Sequence, residues 1–195
     1  MNPEYVQRFA RQIALPQIGL DGQTRICAAR VLVVGGDRAA ETAAQYLEAA
    51  GVGLVVHKST PPTDGAGWLA ALAVFELVVR SGFDDDAMLG AAARLGLPVV
   101  VVRATGGLVD LLSFPRRAPA PEATLEIEAR RATPAATGAE AGAPAILAGT
   151  LAATEALTLL TRSRAATGVP TSTSPRHLRL PLDGGAPLTQ RIGAP

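Results

Sequence analysis

A glycine-bearing turn that follows a hydrophobic run is the segment of this sequence best placed for chemistry. The run RVLVV ends at Gly35 and Gly36, and Asp37, Arg38 and Ala40 open the next segment. A turn between a buried strand and a helix cradles phosphate groups when small residues let backbone N–H groups close around the anion. The spacing G-x-G-x-x-G of dinucleotide-binding proteins is missing here, so the segment does not match that fingerprint.

Asp37 and Arg38 determine what this turn can hold. A carboxylate beside a phosphate is repelled by about 4 kcal/mol at about 4 Å for an effective dielectric constant of ~20. At the start of a helix the same carboxylate is stabilising by up to ~1 kcal/mol, because it accepts from first-turn N–H groups. Arg38 could attract phosphate, but a bulky side chain where the backbone must approach closely opposes the usual pose. The sequence therefore predicts a turn that satisfies its own hydrogen bonds.

The other reactive side chains are few. Cys27 is the only cysteine, which excludes an internal disulfide and a Cys-rich zinc site. His57 and His177 each lack a nearby carboxylate or thiol in the sequence, so we predict structural roles for them and a small core role for Cys27. The acidic run at 84–86 is favoured in the first turn of a helix, and we predict a helix start there.

Strands and helices alternate around these residues. A continuous apolar run at 30–35 is typical of a strand buried on both faces, and the helix at 37–50 and strand at 52–57 complete a right-handed βαβ unit. We predict an α/β fold: a Rossmann-like, doubly wound, mainly parallel sheet with helices on both faces, the 30–35 strand in its centre and an antiparallel hairpin at the C-terminus. The other predicted elements are helices at 3–13, 21–28, 84–95 and 145–162, strands at 76–80, 98–103, 108–114 and 123–131, and the hairpin HLRLPL–DGG–APLTQRI.

No shift in composition indicates a domain boundary, so we expect one domain over 1–195. Residues 1–28 would form an N-terminal helical arm, and the segments 133–144 and 165–175 would be flexible loops. The segment 59–67 is also predicted to be a loop.

Bulk composition limits the classes of function. A chain of 195 residues with 48% hydrophobic and 18% charged residues can bury a core. A formal net charge of +1 is too balanced for nucleic acid or an anionic membrane to be the main partner. The charged N-terminal segment does not fit a signal peptide, and no apolar stretch predicts a membrane span. A cytoplasmic location is expected.

Three blocks of sequence together resemble the ThiF/MoeB/HesA family of ubiquitin-activating-like enzymes. They are the opening RFARQIALPQIGLDGQTRICAARVLVVG, the segment QYLEAAGVG, and the pair APAILAGTLAATEALTLL and HLRLPLDGGAPLTQRI. The resemblance implies a Rossmann-like fold and ATP-dependent adenylation of the C-termini of ubiquitin-like sulfur carriers.

Several family features are missing. Of the family pattern GxGGxG only Gly35 is kept, since Asp37 and Arg38 replace the central pair and Ala40 replaces the last glycine. The HKS segment at 57–59 stands where the family has its ribose-binding acid, and STPPTDGAG replaces the longer stretch that bears the Arg-Gln pair and the phosphate-binding Lys. The family's metal-binding Asp after the third strand would fall among the acids at 84–86, for which we favour the helix start. The zinc Cys pairs and the cysteine of the crossover loop are absent. The chain is therefore interpreted as a degenerate member, with no cofactor expected.

Arg11 is the family feature that remains. In the family, the Arg of the opening Arg-Gln helix reaches across the dimer to the partner's ATP, and a guanidinium suits this task because it binds phosphate bidentately. Arg11 is therefore a candidate in-trans arginine, and a solvated helix charge is an equally good interpretation.

The first hypothesis is a dimer partner or regulator that does not bind ATP. It would form a homodimer or pair with an active ThiF-like paralogue, and a ubiquitin-like sulfur carrier is a further candidate partner. The alternative is a divergent adenylyltransferase that still binds ATP and magnesium, with Arg38 or Lys58 on the phosphates. A dinucleotide-dependent oxidoreductase is the third and weakest hypothesis.

Overall fold

The described part of the chain is built around a mixed sheet of seven strands. The structure is a computed structural model, and it describes residues 3–60, 62, 64–82, 86–105, 107–115, 142–162 and 175–191. The strands are β1 Arg30–Val34, β2 Leu54–Lys58, β3 Leu77–Ser81, β4 Val99–Thr105, β5 Leu108–Phe114, β6 Arg176–Pro181 and β7 Leu188–Arg191. The helices are α1 Pro3–Arg8, α2 Ala10–Ile13, α3 Gly19–Ala28, α4 Arg38–Ala49, α5 Gly65–Leu72, α6 Asp86–Leu95 and α7 Ala143–Arg162.

The strands lie in the order β2-β1-β3-β4-β5-β6-β7. The pairs among β1, β2, β3 and β4 are parallel, and those from β4 to β7 are antiparallel. The predicted Rossmann-like class and the antiparallel C-terminal hairpin are confirmed. The sequence prediction put β1 in the centre of the sheet; it is internal, with a parallel neighbour on each side, but only β2 separates it from one edge.

The alternating side chains of β1 supply two different cores. Val31 and Val33 pack with α4 and α7 on one face, where the cluster is rich in alanine. Leu32 and Val34 belong to the cluster on the opposite face, together with Trp68 of α5 and Met88 of α6. A strand with apolar residues on both sides needs cover on both sides, and this one has it.

A glycine allows the two alanine-rich helices of the first face to touch. A Cβ atom placed on Gly149 of α7 would lie 2.7 Å from the Cβ of Thr42 and 3.0 Å from the backbone N of Ala43 in α4, and closer still to the carbonyl oxygen of Ala39. Such distances are below van der Waals contact, so the helices can approach this closely only where α7 carries no side chain.

By length and composition alone, α7 is also a candidate membrane span, over Ala143–Thr161 with a mean hydropathy of 1.5. The sequence prediction contained no such span. In the structure the helix packs against α4, β4 and β5, and its alanines form part of the first core.

Several predicted boundaries were wrong. The predicted loop at 59–67 runs into helix α5, because Asp64 accepts a hydrogen bond from the backbone N–H of Gly67 (2.6 Å) and caps a helix that begins at Gly65. Similarly, the predicted loop at 133–144 overlaps α7, which begins at Ala143. The single predicted N-terminal helix is divided into α1 and α2 at Phe9. The predicted strand at 123–131, residues 133–141 and residues 165–174 lie outside the described residues.

A buried carboxylate joins the antiparallel strands. Asp110 of β5 is opposite Arg103 of β4 and Arg179 of β6 in the strand register. Its Oδ1 accepts from Nε2 of His177 (3.0 Å) and Nε of Arg179 (2.9 Å), and Arg103 lies 3.6 Å from Oδ2. Asp110 is the carboxylate partner that the sequence alone did not locate for His177.

The charge of Asp110 is held by its neighbours. Burial raises the pKa of the carboxyl, but hydrogen bonds and charges from His177 and Arg179 outweigh burial and hold this pKa below its ordinary value of 3.8. A carboxyl with a lowered folded-state pKa stabilises the fold above its unfolded-state pKa, and this stabilisation is lost as pH falls through the folded-state pKa.

We therefore expect Asp110→Asn to lower the free energy of unfolding at neutral pH by on the order of 2 kcal/mol, because it leaves the partly buried guanidinium groups of Arg103 and Arg179 without their anion. The loss should narrow as the pH falls below about 5, and it should vanish only below the folded-state pKa of Asp110, where the wild-type carboxyl is protonated too. Urea unfolding of both proteins across this range measures the effect. Glu48→Gln, at an exposed carboxylate on α4, is the control. A loss that is independent of pH would contradict the assignment.

Candidate functional site

The carboxyl ends of three parallel strands meet at one edge of the sheet. Val34 of β1 is level with Lys58 of β2 on one side and with Arg80 of β3 on the other. After β1 the chain leads to β2 on one side, while β3 and β4 lie on the other, so this point is a topological switch. Ligands of open α/β sheets bind in the crevice outside such strand ends. We call this region the carboxyl edge; it consists of residues 35–38, 57–59 and 81.

Gly35 fills the space between the strand ends. Its backbone has a φ of +143°, and its N–H donates to the carbonyl oxygen of Lys58 (3.0 Å). Its own carbonyl oxygen accepts from Nε2 of His57 (2.7 Å). A Cβ atom here would lie 3.0 Å from the Cβ atoms of Ala40 and Ser81. The turn is therefore tied to β2 and packed against both β3 and α4, and only glycine suits the position.

Asp37 uses both oxygens of its carboxylate inside the protein. It is the N-cap of α4, where Oδ1 accepts from the backbone N–H of Ala40 (2.9 Å). Oδ2 accepts from the hydroxyl of Ser81 at 2.5 Å, the short distance expected of a hydrogen bond to a charged oxygen. The prediction that Asp37 caps its own helix is confirmed. A carboxylate thus occupies the position at the start of α4 that would favour an external anion.

The other residues of the turn differ in burial and in what they contact. Arg38 makes a salt bridge with Glu41 one helical turn later (3.1 Å), and both side chains are about half exposed. Ala40 is buried under the turn. Gly36 is exposed, and a Cβ atom there would meet the Cβ of Ser59 only at 3.7 Å, an ordinary contact.

Other predicted residues lie elsewhere. Arg11 is exposed on α2, and its in-trans role stays a prediction. Asp86 begins α6, as the helix-start interpretation requires, while Asp84 and Asp85 are outside the described residues. Trp68 is fully buried in the second core, so it anchors α5. Over the described ranges, no three His, Cys, Asp or Glu side chains lie close enough together to hold a metal ion.

Ser81 is a residue of the carboxyl edge that the sequence patterns did not predict. A signal for it was present, because Ser81 is the last residue of a strand that runs parallel to β1, and parallel neighbours bring their carboxyl ends together. A hydroxyl at that position can reach whatever follows β1.

A second polar group lies between α7 and the antiparallel strands. There a cavity of about 90 Å³ is lined by Leu151, Glu155, Arg176 and four neighbours. Glu155 accepts from the hydroxyl of Ser113 (2.7 Å) and lies 3.6 Å from Arg176. The two charged residues that line this cavity, Glu155 and Arg176, therefore form an ion pair with each other.

Comparison with known proteins gives partial sequence matches. No protein-family model matches the chain. The chain is 49% identical over 53 residues to the adenylyltransferase and sulfurtransferase MOCS3 of Bos taurus, a match that covers 27% of this chain and 12% of the bovine protein. It is 42% identical over 55 residues to the probable adenylyltransferase/sulfurtransferase MoeZ of Mycobacterium tuberculosis, covering 28% of this chain and 14% of that protein. The matches therefore span a small part of each relative.

Solved structures match over nearly the whole chain. The crystal structure of PaaA aligns with a TM-score of 0.67 at 11% identity, over 99% of this chain and 84% of PaaA. E. coli MccB in complex with ATP aligns with a TM-score of 0.64 at 11% identity, over 99% of this chain and 72% of MccB. At these identities the likeness shows the shared fold.

We expect Asp37→Ala to lower the free energy of unfolding by about 1 to 2 kcal/mol, because an N-terminal amide and the hydroxyl of Ser81 both lose their acceptor. Ser81→Ala should cost less, and the double variant should cost less than the sum, since the two residues share one hydrogen bond. Urea unfolding measures all three variants.

Asp64→Ala is a matched control, because Asp64 caps α5 through a hydrogen bond to Gly67 and is exposed. It should cost less than Asp37→Ala. Additive losses at Asp37 and Ser81 would show that their hydrogen bond contributes nothing in solution.

Proposed function

We propose that this chain, which is related to the ThiF/MoeB-like adenylyltransferases over part of its length, does not bind ATP and acts as a partner or regulator of an adenylating enzyme. The observation that carries the proposal is the Asp37 carboxylate, held at the start of α4 by the amide of Ala40 and the hydroxyl of Ser81. In this proposal, the Asp37 carboxylate excludes a nucleotide phosphate from the start of α4.

Two routes would let a phosphate in, and both are costly. If Asp37 stayed, the phosphate would meet a repulsion of about 4 kcal/mol at about 4 Å for an effective dielectric constant of ~20, which corresponds to roughly a thousandfold in affinity. If Asp37 left, α4 would lose its cap, at a cost of about 1 kcal/mol, and Ser81 would lose its charged acceptor. The Arg38 guanidinium could offset part of this cost, because its half-exposed pair with Glu41 holds it in place by only about 0.5 kcal/mol.

The proposed partner follows from what the related proteins are named for and crystallised with. MOCS3 and MoeZ are named adenylyltransferases and sulfurtransferases, and MccB has been crystallised with ATP and with MccA. We propose a homodimer or a heterodimer with an active ThiF-like paralogue, and a ubiquitin-like sulfur carrier as a further partner. Val6, Leu15 and Leu20 are exposed apolar residues within ten positions of Arg11 in the sequence, and we propose that they take part in this contact.

The alternative is a divergent adenylyltransferase that still binds ATP. Two observations favour it: Gly36 and Lys58 are exposed at the carboxyl edge. Lys58 is the only lysine of the chain, and an ammonium group at this position could contact a phosphate.

The proposal predicts that millimolar ATP with magnesium leaves the melting temperature unchanged. A ligand present at about 100 times its Kd stabilises the native state by roughly 2.7 kcal/mol, which for a protein of this size raises Tm by about 5 to 10 °C. Differential scanning fluorimetry makes the measurement, with E. coli MccB as the positive control, because MccB has been crystallised with ATP. A rise of several degrees for this chain that Lys58→Ala abolishes would support the alternative instead.

The proposal also predicts that the protein pairs with an adenylating enzyme and supplies Arg11. Light scattering should show a dimer at micromolar concentration. In the reconstituted complex, Arg11→Ala should slow the partner's adenylation by on the order of 10³-fold, as for other trans-acting arginines. Arg11→Lys should recover little of this, because a point charge cannot reproduce the bidentate fork.

Arg94→Ala, at an exposed arginine on α6, is the matched control and should leave the partner's rate unchanged. An unchanged rate for Arg11→Ala in a complex that still forms would mean that Arg11 is a solvated charge.

A further inference from the structure

Helices α1 and α2, residues 3–13, are the outer part of the predicted N-terminal helical arm and are called the arm from here on. Phe9 is the one buried residue of this segment. Phe9, between α1 and α2, is 5% exposed, whereas neither of these helices contains a buried residue. Neither hydrophobic core includes any residue of the arm. Phe9 is therefore buried against the surface of the folded sheet domain and contributes to neither of its cores.

The Phe9 ring packs against the backbone of Gly51, just after α4, and we call this contact surface the seat. Gly51 has a φ of +85°, and a Cβ atom there would lie 2.7 Å from Cε1 and 3.1 Å from Cε2 of the Phe9 ring. The position thus needs glycine for two reasons, since the left-handed backbone disfavours other residues and the ring occupies the space of a side chain.

Tyr5 and Gln23 complete the contact. The Tyr5 ring meets Phe9 edge to face, with centroids 4.9 Å apart, and its hydroxyl donates to the carbonyl oxygen of Gln23 (3.1 Å) and contacts Sγ of Cys27. Burial and the hydrogen bond with Cys27 raise the pKa of the Tyr5 hydroxyl to about 12, so the hydroxyl is a neutral donor at neutral pH. Gln23 in turn donates to the carbonyl oxygen of Ala50 (3.0 Å), next to the seat.

We infer that residues 3–13 form a latch, in which Phe9 seated on Gly51 holds the arm against the end of α4, and that the latch opens while the sheet stays folded. Opening would move Arg11 with the arm, so the position of Arg11 depends on Phe9. This consequence for Arg11 rests on the proposed function; the latch itself does not.

The expected effect follows from the area that opening exposes. Removing one phenylalanine ring from its buried contact shifts an equilibrium by roughly 10- to 100-fold. Phe9→Ala should therefore raise the open fraction of the arm by about that factor. Gly51→Ala should do the same from the opposite side, because its methyl group excludes the ring.

Hydrogen exchange of the full chain, followed by mass spectrometry, tests the latch. We expect amide exchange over 3–15 to be at least about 10-fold faster in Phe9→Ala and in Gly51→Ala, with no change in β1, β3 and β4. Gly96→Ala is the matched control, because Gly96 also follows a helix with a positive φ (+62°) but has no atom within 4 Å of the place that a Cβ would take. It should leave the arm unchanged.

Two results would overturn the latch. One is exchange in β1 and β4 that quickens as much as exchange in the arm, which would make the arm part of the cooperative core. The other is an arm that is unaffected in both variants. Since no partner or nucleotide is present, this outcome is independent of whether Arg11 acts on a partner.

Discussion

The parallel pairing of β1 with β2 on one side and β3 on the other is the constraint on which the candidate site depends. Parallel neighbours bring their carboxyl ends to the same level, so the residues that follow these strands must share one small region. Gly35 closes against Lys58 and His57 from the end of β2, and Asp37 reaches Ser81 at the end of β3. The turn after β1 is thereby tied to both neighbours through the protein's own groups, in a place where related folds leave room for a ligand.

The same pairing requires cover on both faces of the sheet. Apolar side chains of β1 alternate between two cores, and the helices on each side are built differently. On one side, small residues let α4 and α7 touch at Gly149. On the other side, the larger side chains of Trp68 and Met88 are fully buried. The strands that end at the carboxyl edge are therefore packed between helices on both faces of the sheet.

Much of this arrangement could be predicted from the sequence, and the failures have physical reasons. Hydrophobic runs and turn residues predict β1 and its helix, and the chemistry of a carboxylate at a helix start predicts the capping role of Asp37. The partner of that carboxylate, Ser81, depends on strand order, which local patterns do not contain. The pairing of Asp110 with His177 is missed for the same reason, because 66 residues lie between them in sequence. Helix α5 is missed because Gly65 and Gly67 are weak helix formers, and the cap by Asp64 compensates for them.

The buried carboxylate of Asp110 has a consequence for how the antiparallel half of the sheet finds its register. Side chains of a strand alternate between faces, so a slip of β5 by one residue would turn Asp110 towards the alanine-rich face covered by α7 and away from Arg103 and Arg179. The misaligned sheet would bury an unpaired anion on one face and leave two guanidinium groups without it on the other, at a cost of several kcal/mol. The single carboxylate of Asp110 therefore penalises incorrect alignment of three strands, β4, β5 and β6, at once.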